Sequence, residues 1–585
     1  MPDRNLHTDR LMPTSRSNEL CPAPAAWAAL LMLLIWLLPG LFGCEPWKPD
    51  GAYTFGLVNH MAASGDWVVP TLAGEPFMEK PPLYFIVAAL CEQAFGGWLS
   101  LPDAARLASA LFIGLAFTAL ALSARILYGR RHALWAPLLL IGTLGFPVRA
   151  HQLITDTALF AGIAWGLYGL LLAPLRPLRG GVTLGLGAAA ALLSKGLLGP
   201  GVLGLSALLL PLFSPDYRHL NYVKTLVLAV LVGLPLPLLW MVALYQRDPV
   251  LFGQWLFVNN LGRFSGASKL GPSADKLFYL QTLPWYAFPA WPLALYGLWK
   301  WHRLGGWRVL AAPLTVFGVA LTVLSLAADA RELYAMPLLA PLSVLAVAGL
   351  MAGKPMTLTG RRLWILAALA LAALLLLVGF ALASGEPAHL VQRLARWTAG
   401  WQPHWEPAFW AAGLAALATL LVMWRAGPDC GPGAHLWRWS WLVTLVWALA
   451  FTLWLPAIDP SMSYQQPFQQ LRPALQQASR SGCIASDGLG EPQRALLEYY
   501  ADMVTRRIET HPGGAAGCTW LLLQSRDGGI PRPLAQHGLN PVLMVARPGD
   551  TKERYLLYRV PQTVGMVYNL LIGSDGSAKR SGSSG

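Results

Sequence analysis

Charge is what this chain has least of. Only 12% of its 585 residues are Asp, Glu, Lys or Arg, against about 25% in an ordinary soluble domain. With 55% hydrophobic residues, a soluble fold is excluded, because no single core needs that much apolar surface. Acids are scarcer than bases, 29 against 43, which leaves a net charge of +14. In a soluble protein that excess would point to nucleic acid. Here the bases sit in short gaps between apolar runs, so they read as membrane topology and no nucleic-acid partner is expected. No apolar stretch precedes Trp27, so residues 1–24 are expected to form an uncleaved cytoplasmic tail. Cysteines number six, and no Cys/His spacing resembles a structural zinc site. Cys483 and Cys518 lie in the polar C-terminal region. They pair if that region faces an oxidising compartment, and otherwise remain two separate thiols. No solenoid or inverted repeat is visible, which counts against a secondary transporter.

What is abundant is long apolar runs. Trp27 to Gly43 and Arg362 to Ala383 approach the roughly 20 residues that cross a bilayer. Apolar segments fall near 25–43, 103–124, 133–148, 154–173, 183–194, 197–213, 224–244, 284–300, 309–327, 334–351, 363–383, 406–424 and 440–457, about thirteen spans. Alternate gaps are basic, as with Arg125, Arg130 and Arg131, then Arg176 and Arg179. The opposite gaps hold most of the acids, including Asp50, Asp66, Glu75, Glu79 and Asp156. This alternation places the N-terminus inside, and an odd count places residues 458–561 outside. The expected organisation is a membrane domain over 25–457, with a first periplasmic loop at 44–102 and a small periplasmic α/β domain at 458–561. Residues 562–585 are expected to be a flexible tail by composition. In the α/β domain, PFQQLRPALQQASR and EPQRALLEYYADMV read as helices. CIASDGL, TWLLLQS and the two arms of PVLMVARPGDTKERYLLYRV read as strands.

Ionisable side chains at the outer ends of spans are the candidate functional residues, because such groups are costly near hydrocarbon. Asp50 and Asp156 each precede an apolar helical pattern, where a helix cap is the competing reading. Lys195 interrupts AAAALLSKGLLGPG on the side where bases are scarce. Lys48, Lys80, Arg263, Lys269, Lys276 and Arg331 are also outer bases. Several of them at re-entry points suit a bound anion at the membrane surface, and a lipid phosphate fits that depth. Asp487 and Glu491, in the C-terminal domain, read as a turn and a helix cap.

The strings WKPDGAY and SGDWVVPTLAGEPFMEKPPLY, followed in order by LPDAARLASALF, ITDTALF, LLSKGLLGP, LGRFSG and RELYAMPLLAP, resemble the bacterial transferases related to protein O-mannosyltransferases. The lipid A aminoarabinose transferases are the branch most like it. The resemblance covers most of the first 350 residues. It implies a polytopic α-helical GT-C fold in the bacterial inner membrane, with its active site facing the periplasm. It implies a glycosyltransferase that moves one sugar from a polyprenyl (undecaprenyl) phosphate donor to lipid A, another envelope glycan or a protein. Carried over by motif, Asp50 and Asp156 are the acids at the reaction centre. Lys80, Lys195, Arg263, Arg331 and Tyr334 hold the donor phosphate. No cofactor is required, and Glu79 is the one candidate ligand for a divalent metal. The chain departs from the pattern at Gly51, where many relatives have an acid. It departs again at Asn259 and Asn260, where lipid A transferases tend to have an acid and a His before RF. A transporter or flippase of an anionic, lipid-linked substrate is the non-enzyme alternative.

Overall fold

A computed structural model describes residues 25–560, except 48, 269–274, 354–355, 396, 400, 429–430, 432, 511–514, 516 and 537. The two expected tails, together with Lys48 and Lys269, lie outside the described residues. Among the described residues, seven helices are long and apolar enough to cross a membrane, and four more apolar helices are shorter. Leu358–Ser384 is one of the long ones, and Leu363 and Leu366 on it are more than half exposed. Within the chain these leucines have little to pack against, so their natural cover is lipid. Expected spans break where glycine and proline intervene. The first helix, Ala26–Leu37, stops ahead of Pro39 and Gly40. The stretch expected at 133–148 splits into Trp135–Ile141 and Phe146–His151 around Gly142 and Gly145.

One helical hairpin decides where the polar residues meet. Asp156–Leu172 and Pro177–Lys195 run back on each other through a four-residue turn. Small residues let the two backbones touch, as is usual between membrane helices. A Cβ on Gly162 would lie 2.7 Å from the Gly187 carbonyl oxygen, and one on Gly169 would lie 2.5 Å from the Leu184 nitrogen. The first residue of one helix, Asp156, is thereby brought to the last residue of the other, Lys195.

The first loop is structured. It holds a helix at Asp50–Ser64, closed by left-handed Gly65. A hairpin of β1 (Thr71–Leu72) and β2 (Glu75–Pro76) follows, then a helix at Leu83–Phe95. Ala73 and Gly74 both have positive φ, as the tight two-residue hairpin turn requires.

The C-terminal region forms a five-stranded sheet in the order β4-β3-β5-β7-β6. Its strands are β3 (Ile484–Asp487), β4 (Arg506–Arg507), β5 (Trp520–Ser525), β6 (Leu543–Ala546) and β7 (Arg554–Arg559). β3 runs parallel to β4 and β5, while β7 runs antiparallel to β5 and β6. Cys483 and Cys518 are joined as a disulfide just ahead of β3 and β5. Of the described strands of this sheet, only two-residue β4 was not expected from the sequence; β1 and β2 in the first loop were not expected either. The helix Glu491–Ala501 docks this domain onto the first loop. A Cβ on Gly56 would lie 2.5 Å from the Ala495 Cβ, and Phe55 meets Tyr499 edge-on at 4.7 Å. Glu75 accepts from Arg494 at 2.7 Å and from Arg507 at 2.9 Å, and Glu45 accepts from the Tyr500 hydroxyl.

Candidate active site

Asp50 is the first residue of its helix, yet its side chain makes no capping bond. Its Oδ1 instead accepts the Tyr53 hydroxyl at 2.9 Å. That hydroxyl also receives the Lys80 ammonium, and Lys80 is 9% exposed. Lys80 precedes Pro81 and Pro82, which keep the next helix from starting before Leu83. The ammonium therefore projects from an irregular segment onto the Asp50 helix. Burial pushes the Asp50 carboxyl up, but Lys80, the Tyr53 hydroxyl, Lys195 and Arg331 outweigh it, and the group titrates below its ordinary value.

Asp156 also makes no capping bond. It is fully buried, and its Oδ1 binds the Lys195 ammonium. Its Oδ2 has no hydrogen-bond partner among the described residues. Lys195 lies 4.1 Å over the Tyr334 ring, a cation–π contact that adds to the hold of Asp156 on the ammonium.

Arg263 closes the constellation. It caps a π-helix at Gln254–Gly262, a form frequent at functional sites. Its guanidinium donates to Asp329 at 2.8 Å, Glu79 at 3.1 Å and the Tyr334 hydroxyl at 3.2 Å. Arg331 is partly buried beside these groups, and its charge acts on both Asp50 and Tyr334. Among the described residues its side chain makes no hydrogen bond or ion pair, which leaves a cation available to a ligand. Asp50, Glu79, Lys80, Asp156, Lys195, Arg263, Arg331 and Tyr334, from six chain segments, are thus brought into one cluster.

The donors around Glu79 do not fit a divalent metal. Its Oε2 is engaged by Arg263, and no group of three or more His, Cys, Asp or Glu could hold a metal among the described residues. A cation beside Arg263 and Lys80 would also meet like charge. Glu79 is therefore an ion-pair partner of Arg263.

Three participants escaped the sequence reading. Tyr53 and Asp329 are ordinary outer-loop residues until folding makes them the link between Asp50 and Lys80 and the anchor of Arg263. The third is Glu491, expected to be a helix cap. Burial and then Glu79 push its carboxyl up to about 7, against Lys80, Arg494 and Arg507. The C-terminal domain thus presents an acid beside Glu79 and Lys80. No local pattern in EPQRALL announces this, because it depends on one domain docking on another.

Comparison with known proteins bears on the fold. Residues 79–241 match the family of dolichyl-phosphate-mannose-protein mannosyltransferases. The undecaprenyl phosphate-alpha-4-amino-4-deoxy-L-arabinose arabinosyl transferase of Edwardsiella ictaluri is 27% identical, across 92% of this chain and 99% of the relative. A counterpart from Sodalis glossinidius is 31% identical, over 55% of this chain and 57% of its own. The crystal structure of ArnT from Cupriavidus metallidurans bound to undecaprenyl phosphate superimposes with a TM-score of 0.64 at 19% identity. That match covers 91% of this chain and 97% of the other. The overlap shows a shared fold, a helical membrane domain with a small sheet domain at its C-terminal end.

Proposed function

We propose that this chain, a GT-C glycosyltransferase related to the protein O-mannosyltransferases, moves one sugar from undecaprenyl phosphate to an acceptor at the periplasmic face of the inner membrane. The observation that carries the reading is the ring of cations, Lys80, Lys195, Arg263 and Arg331, closed by Tyr334 around Asp50. As the bond between the sugar's anomeric carbon and the phosphate oxygen breaks, the leaving lipid phosphate gains negative charge. Cations fixed beforehand stabilise that charge without reorganising, often the largest single catalytic contribution. Uncommitted Arg331 supplies a bidentate fork, and Lys80 and Lys195 supply point charges.

Asp50 is held ionised by its neighbours, which makes it a weak base and a steady negative charge. An efficient general base titrates near the working pH. Asp50 therefore suits stabilising positive charge on the sugar, with an acceptor oxygen that is already ionised, such as a phosphate of lipid A or another envelope glycan. Attack by that oxygen on the anomeric carbon, with undecaprenyl phosphate leaving from the opposite face, inverts the centre. Asp156 acts through Lys195 by holding the ammonium in place. A protein hydroxyl as acceptor would need a general base, a role for which Asp50 titrates too low.

The sugar class follows from the relatives. The relatives are named for a 4-amino-4-deoxy pentose, so an aminopentosyl donor is the proposed substrate. The disulfide supports an outward C-terminal domain, as does the charge alternation. The test is transfer of label from radiolabelled undecaprenyl-phosphate aminoarabinose to lipid A by the purified protein. Solute uptake or lipid flipping without transfer would overturn the reading in favour of a transporter.

A further inference from the structure

Asn259 and Asn260 lie on the π-helix, outside the ring of charges, and the mechanism above does not use them. Each amide nitrogen bonds a carbonyl five residues back in its own helix: Asn259 donates to Gln254 at 3.3 Å and Asn260 to Trp255 at 2.7 Å. The remaining bonds leave the helix. The Asn259 amide nitrogen also donates to the Met78 carbonyl at 3.1 Å, two residues before Lys80. The Asn260 amide oxygen accepts the Leu197 backbone N–H at 3.0 Å, two residues after Lys195.

The second contact is built closely. Gly196, between Lys195 and Leu197, has φ +75, and the Asn260 amide oxygen occupies the place where a Cβ on Gly196 would sit. Only a glycine admits both that backbone conformation and that neighbour. Asn260 also has both halves of its amide committed, one to the turn and one to its own helix. Arg263, one turn further along, ties the same helix to Glu79. One short helix thus grips the segments that carry both lysines.

We infer that Asn259 and Asn260 are positioning residues for donor binding, bracing the Met78–Lys80 and Lys195–Leu197 segments so that both ammonium groups meet one phosphate. The inference rests on the donor reading above. It assigns a job to both asparagines: their amides fix backbone segments by hydrogen bonds.

The experiment uses the full chain in nanodiscs, with undecaprenyl phosphate as the binding probe and labelled sugar transfer as the kinetic readout. Asn259→Ala and Asn260→Ala each remove one brace, and each should weaken undecaprenyl phosphate binding by about three- to tenfold, the range for one lost hydrogen bond. The donor KM should rise in parallel, with acceptor KM unchanged and only a small fall in thermal midpoint. Gly196→Ala displaces the Asn260 amide from the other side, so combined with Asn260→Ala it should add little beyond the larger single effect. Wild-type donor KM and binding in the Asn259→Ala/Asn260→Ala double variant would overturn the inference. So would equal losses in donor KM, acceptor KM and thermal midpoint, which would mark a general packing role. Failure of the unaltered protein to bind undecaprenyl phosphate would instead overturn the donor reading itself.

Discussion

Replacing Lys195 by methionine separates what this lysine does for the fold from what it does for the reaction. Its ammonium is the only ionic partner of Asp156 among the described residues, and the second carboxylate oxygen of Asp156 is already buried without a hydrogen bond. Removing one member of a buried pair costs about 3–5 kcal/mol, because the other charge is left uncompensated. The loss of the Tyr334 ring contact adds to that at about 1 kcal/mol. Lys195→Met should therefore melt well below the unaltered protein. Adding Asp156→Asn removes the stranded charge, so the double variant should recover most of the lost stability. Activity should not follow. A missing fixed cation at the leaving phosphate costs about 100-fold or more in rate, and neutralising Asp156 does not replace it. Thermal melts of detergent-purified variants, followed by tryptophan fluorescence, read the first quantity, and labelled sugar transfer reads the second. If the double variant regained transfer along with stability, Lys195 would serve only to neutralise Asp156, and its place in the phosphate site would be wrong.

Asp50→Asn should lower transfer by about 100-fold or more, with donor binding far less affected. Because the Asp50 carboxyl titrates below its ordinary value, the transfer rate of the unaltered protein should show no loss from this group until pH falls below about 4. An Asp50-dependent limb near neutrality would restore the general-base role. Glu491 behaves in the opposite sense. Its folded value of about 7 lies above its ordinary 4.5, so the folded state holds the proton more tightly. Stability should fall as pH rises between those values and level off beyond. Glu491→Gln should abolish that fall and melt higher than the unaltered protein at about pH 8, which melts across a pH series would check. Chelation of divalent cations should leave transfer unchanged, since the Glu79 carboxylate is engaged by Arg263; loss on chelation with recovery on adding metal would refute that assignment.

Much of the fold could be read ahead of the structure because apolar runs and period-two strands are local signals. The C-terminal strands and helices at Gln465–Ser481 and Glu491–Ala501 fall where their patterns put them. Span boundaries were less legible, since Pro39, Gly40 and Gly142 end helices inside stretches that remain apolar. Charges in the wrong gaps flagged Lys80, Lys195, Arg263 and Arg331, and the structure brings them together. Their partners were not legible. Tyr53 three residues after Asp50 is a helical spacing like many others, and Asp329 is one outer acid among several. Glu491 required knowing that its helix lies against Gly56. The cap reading of Asp50 and Asp156 failed for a physical reason. Each carboxylate has a better partner than a backbone amide, a hydroxyl or an ammonium brought by another segment.

The docking of the last domain on the first loop also has a consequence for the order of biosynthesis. Glu45 and Glu75 leave the ribosome early, whereas Tyr500, Arg494 and Arg507, which receive them, follow more than 400 residues later. Chains fold largely from the N-terminus as they are made, so the loop bearing Asp50 and Lys80 must wait for almost the whole protein before its acids are matched. A chain made only as far as Tyr334 already has Lys80, Lys195, Arg263 and Arg331 but lacks its roof. Completion of this cluster is thereby tied to completion of the final domain, whose docking serves as a signature that the chain ahead of it has been made.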